Sequence, residues 1–210
     1  AYFKGQVNNA STANITMPEG YSFNTSIEGV TYQFVNITER IIQPGNGIYI
    51  FGATSGIPVY EGTWTTTRFT VDLASTDQKF VIPNAGVDIS TIKVQVQTSV
   101  GDSTTATYSA ATSLVDITST TQAYFIQETV DGEWEVYFGD GVVGKSLIDG
   151  NIVILKYVIT NGTDANGAVS FTADGGISGF ADITTTTMTA AAGGADAETL
   201  ESIKYNAPFS

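Results

Sequence analysis

"YFGDGVVGKSLIDGN", running from Tyr137 to Asn151, is where two architectures part. Gly139, Gly144, Lys145 and Ser146 spell G-x-x-x-x-G-K-[ST], a pattern that in α/β nucleotide-binding folds wraps phosphates in backbone amides and starts a helix at the Ser/Thr. Here Ser146 is followed by Leu147-Ile148, by the turn pair Asp149-Gly150, and then by an apolar run. No helix fits in that space. Asp140 would also set a carboxylate beside the phosphates, and no apolar strand ending in aspartate follows to hold magnesium. The stretch therefore reads as a glycine turn between two strands. Gly139, Gly141, Gly144 and Gly150 permit positive φ and close backbone approach, while Asp140 and Asp149 can bond nearby amides.

Working outward, "EWEVYF" before the turn and "NIVILKYVIT" after it are strand-like, the second apolar on both faces as a central strand is. Ile92-Lys93-Val94-Gln95-Val96-Gln97 alternates strictly, so one face is buried and the other wet. Asp131-Gly132 suits the two central positions of a type I′ hairpin turn. Upstream, residues 1–68 are short apolar alternations cut by Pro18-Glu19-Gly20 and Pro44-Gly45-Asn46-Gly47. Downstream, residues 172–194 are rich in glycine, alanine and threonine, with a last strand candidate in "ADITTTTMT". Only after Gly193-Gly194 does the period become helical: Asp196 can cap, Glu198 lies in the first turn, and Leu200, Ile203 and Ala207 share a face before Pro208. The expectation is a mainly β chain of two sandwich- or barrel-like domains with one short C-terminal helix.

Composition narrows the function classes. The chain has 210 residues, 42% hydrophobic and only 14% charged, a balance that suits a folded body. Eight basic against 21 acidic residues give a net charge of −13, which repels nucleic acid and supplies no basic stripe. There is no cysteine and no histidine, so disulfides, thiol nucleophiles and histidine proton transfer are excluded, and any metal would need oxygen ligands. No apolar stretch reaches membrane-spanning length. Ala1 in place of methionine, and an end just past Pro208, suggest a segment of something longer. The sequons at Asn14, Asn24, Asn36 and Asn161 follow from the abundance of threonine.

Two carboxylate groupings merit weighing. A two-residue turn at Asp131-Gly132 would put Glu128, Glu133 and Glu135 on one face, with Trp134 on the other. Such a trio can serve glycoside hydrolysis or calcium, although open water is its commonest setting. Asp164, Asn166 and Asp174 have calcium-like intervals but lack the bidentate glutamate of a calcium loop. No serine can be paired with a histidine base, so no positive case for an enzyme arises.

"VYFGDGVVGKSLIDGNIVILKYVITNGTDANGAVSF", followed downstream by "GGADAETLESIKYNAP", resembles the baseplate wedge proteins of T4-like contractile-tailed bacteriophages, within the wider baseplate J-like family. Its shared elements are Phe138-Gly139-Asp140-Gly141, Gly144, Gly150-Asn151, Asn161-Gly162 and Asn166-Gly167, then Gly193-Gly194-Ala195-Asp196 with Glu198, Glu201 and Ile203. "MPEGYSF" and "DQKFVIPNAGVDISTIKVQVQTS" are similar to earlier parts of that family.

The resemblance implies a structural role in the virion tail baseplate, assembled in the host cytoplasm, without catalysis or cofactor. It implies dimers or larger homo-oligomers, contacts with other wedge proteins, and rearrangement on sheath contraction. It also implies a discontinuous domain of residues 1–68 with 172–210, interrupted by an inserted domain of 69–171 that carries the FGDG motif. Membrane, nucleic acid and small-molecule substrates have no part in it. The rival expectation from composition is an extracellular adhesin or carbohydrate-binding module stabilised by calcium.

Overall fold

Threonine, valine, isoleucine and aromatic residues in period-two runs, cut by glycine, build pleated strands rather than helices. The computed structural model describes residues 1–8, 13–75 and 78–195, and among them there are strands and no helix. The chain is mainly β. The helix expected after Gly193-Gly194, with Asp196, Glu198, Glu201 and Ile203, lies outside the described residues.

Eight strands come first: β1 (Tyr2–Asn8), β2 (Ile15–Met17), β3 (Ser22–Ile27), β4 (Val30–Val35), β5 (Arg40–Ile42), β6 (Ile48–Phe51), β7 (Ile57–Pro58) and β8 (Tyr60–Glu61). Seven follow: β9 (Thr63–Thr70), β10 (Phe80–Ile82), β11 (Val87–Ser99), β12 (Asp102–Ala110), β13 (Ala123–Glu128), β14 (Trp134–Phe138) and β15 (Ile152–Ile159). The return segment adds β16 (Thr172–Ala173) and β17 (Ile183–Thr189).

Two compact units result, one of Ala1–Thr63 with Thr160–Ser210, the other of Trp64–Ile159. Sequence reasoning drew its domain lines at 68/69 and 171/172. Compactness places them earlier for two reasons. Most of β9 belongs to the sheet of the second unit beside β15, and Ala165, Ala168 and Phe171 pack into the core of the first.

In the first unit β1 lies between β17 and β6, with antiparallel pairs such as Gly5↔Thr185 and Gly5↔Phe51. A second sheet runs β16-β3-β4-β8, and β2 pairs with β5. The core is aromatic. Phe3 meets Phe23 edge-on at 4.4 Å, and Phe34 meets Phe171 at 4.9 Å. Each such ring contributes about 1.5–3 kcal/mol through burial.

In the second unit one sheet runs β10-β14-β13-β12-β11-β15-β9. It curls until its two edges approach, with Phe69 of β9 and Phe80 of β10 in edge-on contact at 5.6 Å. Val94 and Val96 of β11 face inward while Lys93, Gln95 and Gln97 are part-exposed, as their alternation demands. The doubly apolar β15 is paired on both sides and buries Val153, Leu155 and Tyr157. Pairing of β12 with β13 is parallel, Ser109 opposite Ala123, so residues 111–122 must travel back along the sheet. A bulge between Asp88 and Lys93 interrupts the β11–β15 ladder, and the Thr91 hydroxyl accepts the Val158 amide there at 3.0 Å.

One expected register is corrected. The β13–β14 loop has three residues, Val130–Gly132, because the Thr129 amide donates to the Glu133 carbonyl and the Gly132 amide to the Thr129 carbonyl. Gly132 takes φ +78°, giving a type I turn closed by a glycine bulge in place of a type I′ turn. Every pair shifts by one: Glu128 lies opposite Trp134, and Gln127 opposite Glu135.

Candidate functional site

The glycine turn is built from its own backbone. The Gly141 amide donates to the Gly144 carbonyl at 3.0 Å, and the Asp140 Oδ1 accepts the Val142 and Val143 amides at 2.8 and 2.9 Å. The Gly144 and Lys145 amides reach the Thr118 and Thr121 carbonyls at 3.1 and 2.8 Å. All five amides from Gly141 to Lys145 are therefore engaged within the protein. A phosphate cradle needs those donors, and a strand, β15, follows where the nucleotide fold requires a helix. Gly139 lies so close to Gly144 that a Cβ on Gly139 would sit 2.3 Å from the Gly144 carbonyl carbon. Amide hydrogen bonds, from Val143 first and then Val142, hold the exposed Asp140 carboxyl below the usual carboxylate range.

The far end of the stretch is tied to its surroundings by Asp149, Gly150 and Asn151. Asp149 Oδ1 accepts the Leu73 amide at 3.0 Å, and the Gly150 amide donates to Val71 at 2.9 Å. The buried Asn151 side chain accepts from the Ile148 amide and donates to the Thr98 carbonyl, at 2.9 and 2.8 Å. Phe138 packs edge-on against Phe80 and Tyr108, anchoring the start of the turn to the core.

In the other unit the two asparagine–glycine pairs converge with the double glycine. Asn166 exchanges two hydrogen bonds with the Gly194 backbone, at 3.0 and 3.1 Å. Gly194 passes so near Gly162 that a Cβ would meet the Gly162 carbonyl oxygen at 2.2 Å. The Gly167 amide donates to the Ala191 carbonyl, and Gly193 takes φ +87° just before the close passage, with exposed Ala195 after it. Glu61 completes the knot: its carboxylate accepts the Thr160 hydroxyl at 2.6 Å, the Asn161 amide at 2.8 Å and the Asn161 side-chain amide at 2.6 Å. Nothing in the sequence pattern singled out Glu61, because its donors lie about a hundred residues away.

The carboxylate groupings are dispersed. With the corrected register, Glu133 and Glu135 share a face with Gln127, whereas Glu128 shares the opposite face with Trp134. Glu135 is buried, accepts from Gln127 at 3.3 Å and lies 3.9 Å from Lys79. Asn166 is committed to Gly194, and Asp174 accepts from Ser22 at 3.0 Å, so these do not converge with Asp164 on one point. Among the described residues no group of three or more acidic side chains is arranged for a metal.

A groove of about 560 Å³ adjoins the glycine turn, bounded by the loop Ala111–Leu114 on one side and by Phe138–Asp140 and Val143 on the other. Phe125 and Tyr137, opposite one another on β13 and β14, stack at 5.1 Å with planes 17° apart and form one wall. Leu114 is 65% exposed and Tyr137 40%. From the sequence Tyr137 reads as a strand residue only, in "EWEVYF", and Phe125 lies on the strand paired with it. Their alternation with inward-facing Tyr124, Ile126 and Val136 is the signal that they line the outer face.

Residues 67–161 match a family model described as bacteriophage baseplate wedge protein gp6, third domain. The baseplate wedge protein gp6 of Enterobacteria phage T4 is 35% identical to this chain over 74 residues, which cover 28% of the chain and 11% of that relative. The matched region covers all but the first three residues of the second unit, and with them the glycine turn and the groove.

Proposed function

We propose, from the premise that this chain is a relative of the bacteriophage baseplate wedge proteins with a third domain of that family at residues 67–161, that it is a structural component of a tail baseplate wedge. It works through subunit contacts and performs no catalysis of its own. The observation that carries this reading is the coincidence of the matched residues with one compact unit, Trp64–Ile159. Three features support it. The amides of the nucleotide-like turn are spent internally, the glutamate trio is divided between two faces, and an apolar groove lies open beside the turn.

The same reading makes the glycine and asparagine motif a scaffold, with Gly139, Gly144, Asn151, Asn161, Asn166 and Gly194 holding loops close rather than binding a ligand. It takes Trp64–Ile159 as an inserted domain between two parts of a discontinuous one. It places the protein in the virion, in contact with other wedge proteins and with further copies of itself. Sedimentation velocity of the purified chain mixed in turn with each wedge protein of its parent phage tests this. A faster-sedimenting complex with at least one of them is expected. If the chain stays alone with all of them while showing glycan or calcium binding, the assignment is wrong.

A further inference from the structure

We propose that the groove beside the glycine turn docks an extended segment of a different protein, one that presents an apolar side chain next to a lysine or arginine. This rests on the reading of the chain as an assembly component and names what one of its surfaces takes. The groove is large enough for one or two bulky side chains, and its wall is the Phe125–Tyr137 stack with Leu114 and Val143 beside it. Leu114, Tyr137 and Val143 are exposed and Phe125 is half-buried, so together they form an apolar patch of the kind that marks contact sites. Its strand wall and the turn beside it are fixed before any partner arrives. Phe125 and Tyr137 are held opposite each other by the β13–β14 ladder, and Asp140 and Val143 by the closed turn. Little conformational entropy remains to be lost on binding.

Charge selects the occupant. Among the described residues Asp140 is the charged one that lines the groove, with no lysine or arginine there, while Asp116 in the adjoining loop and Lys145 in the turn lie outside it. Asp140 presents a carboxylate there, held below the usual carboxylate range by its amide hydrogen bonds. A second copy of this chain brings another −13 and the same carboxylate, so self-association through this surface is opposed. A cationic segment of another protein is favoured by the same field.

The test titrates isotope-labelled full chain, observed by amide NMR, with two synthetic nine-residue peptides. They share a Leu-Phe-Leu centre flanked by lysines in one and by glutamates in the other. The lysine peptide is expected to shift the amides of Leu114, Phe125, Tyr137 and Val143 saturably, and to bind at least about tenfold more tightly than the glutamate peptide, less so at high salt. The double variant Tyr137→Thr with Leu114→Ser, both partly exposed positions, should lose that binding, while Val115→Ser outside the groove should retain it. No saturable shift at the groove, or equal binding of both peptides, overturns the proposal. So does a self-association of the wild type that the double variant abolishes, which would make the occupant a second copy. If the peptides fail while the chain still sediments with wedge proteins, the groove assignment alone falls; if both fail, the assembly reading falls with it.

Discussion

Thr91 and Gly139 show how much a single position can carry in this fold. Beside the β11 bulge, where Val158 lies opposite Asp88, the buried Thr91 hydroxyl accepts the Val158 amide while donating to the Asp88 carbonyl at 2.7 Å. Thr91→Val keeps the shape but orphans that amide, so a loss of about 1–3 kcal/mol is expected in urea denaturation. Thr91→Ser should recover most of it. If Thr91→Val unfolds at the wild-type midpoint, the bond from the Val158 amide to the hydroxyl contributes nothing to stability. Gly139 is constrained by space: any Cβ there enters the backbone of Val143 and Gly144 at 2.3–2.4 Å. Gly139→Ala must reopen the turn, at a cost near the upper end of overpacking, about 3 kcal/mol. The Gly144 and Lys145 amides, now bonded to Thr118 and Thr121, should then lose hydrogen-exchange protection before the rest of the unit.

At the scale of elements, the β13–β14 hairpin depends on Gly132 at φ +78°. Gly132→Ala is expected to destabilise the second unit by about 1–2 kcal/mol, read from its denaturation midpoint, since an L-residue with a Cβ resists that conformation. The same hairpin marks where sequence reading stopped. Asp-Gly serves a two-residue turn and a three-residue loop with a glycine bulge equally well, and the choice made here involves Thr129, whose Oγ1 accepts the Glu133 amide at 3.2 Å. A period-two strand then transmits that one-residue difference to every side chain beyond it, which is how the glutamate trio came apart. By contrast β11 and β15 were legible, because strict alternation and double-sided apolarity are local properties. So was the failure of the nucleotide pattern, visible in the turn pair Asp149-Gly150 where a helix was needed. The partners of that turn, Thr118 and Thr121, and the second wall of the groove at Ala111–Leu114 arrive through a parallel crossover that no local pattern announces.

For the molecule as a whole, each unit has its own core, and ionisation of Tyr21 in the first and of Tyr108 and Tyr124 in the second opposes the fold. Burial, with a smaller contribution from Asp174, pushes the Tyr21 hydroxyl from its ordinary 10.0 up to about 12. Burial also raises Tyr108 and Tyr124 in the second unit. The folded state thus keeps protons that the unfolded chain releases. That stability is fully present below pH 10 and drains away as pH rises through about 12. Urea midpoints should fall as pH rises above about 10. Tyr21→Phe should make the fall shallower, after a constant loss of about 1 kcal/mol for the hydrogen bond to the Gly175 carbonyl. An unchanged alkaline slope in that variant would remove Tyr21 from the account. The pairing of β1 with β17 has a further consequence, one of birth order. On the ribosome β1 emerges first and its Gly5–Thr185 neighbour only some 180 residues later, on the order of ten to forty seconds at ordinary elongation rates. Throughout that interval the whole second unit is synthesised while one flank of β1 waits unpaired, a sticky edge. Chaperone dependence during synthesis should accordingly track the delay before residues 183–189 appear, and a circular permutant that brings β17 next to β1 in the chain should need less help to reach its native state.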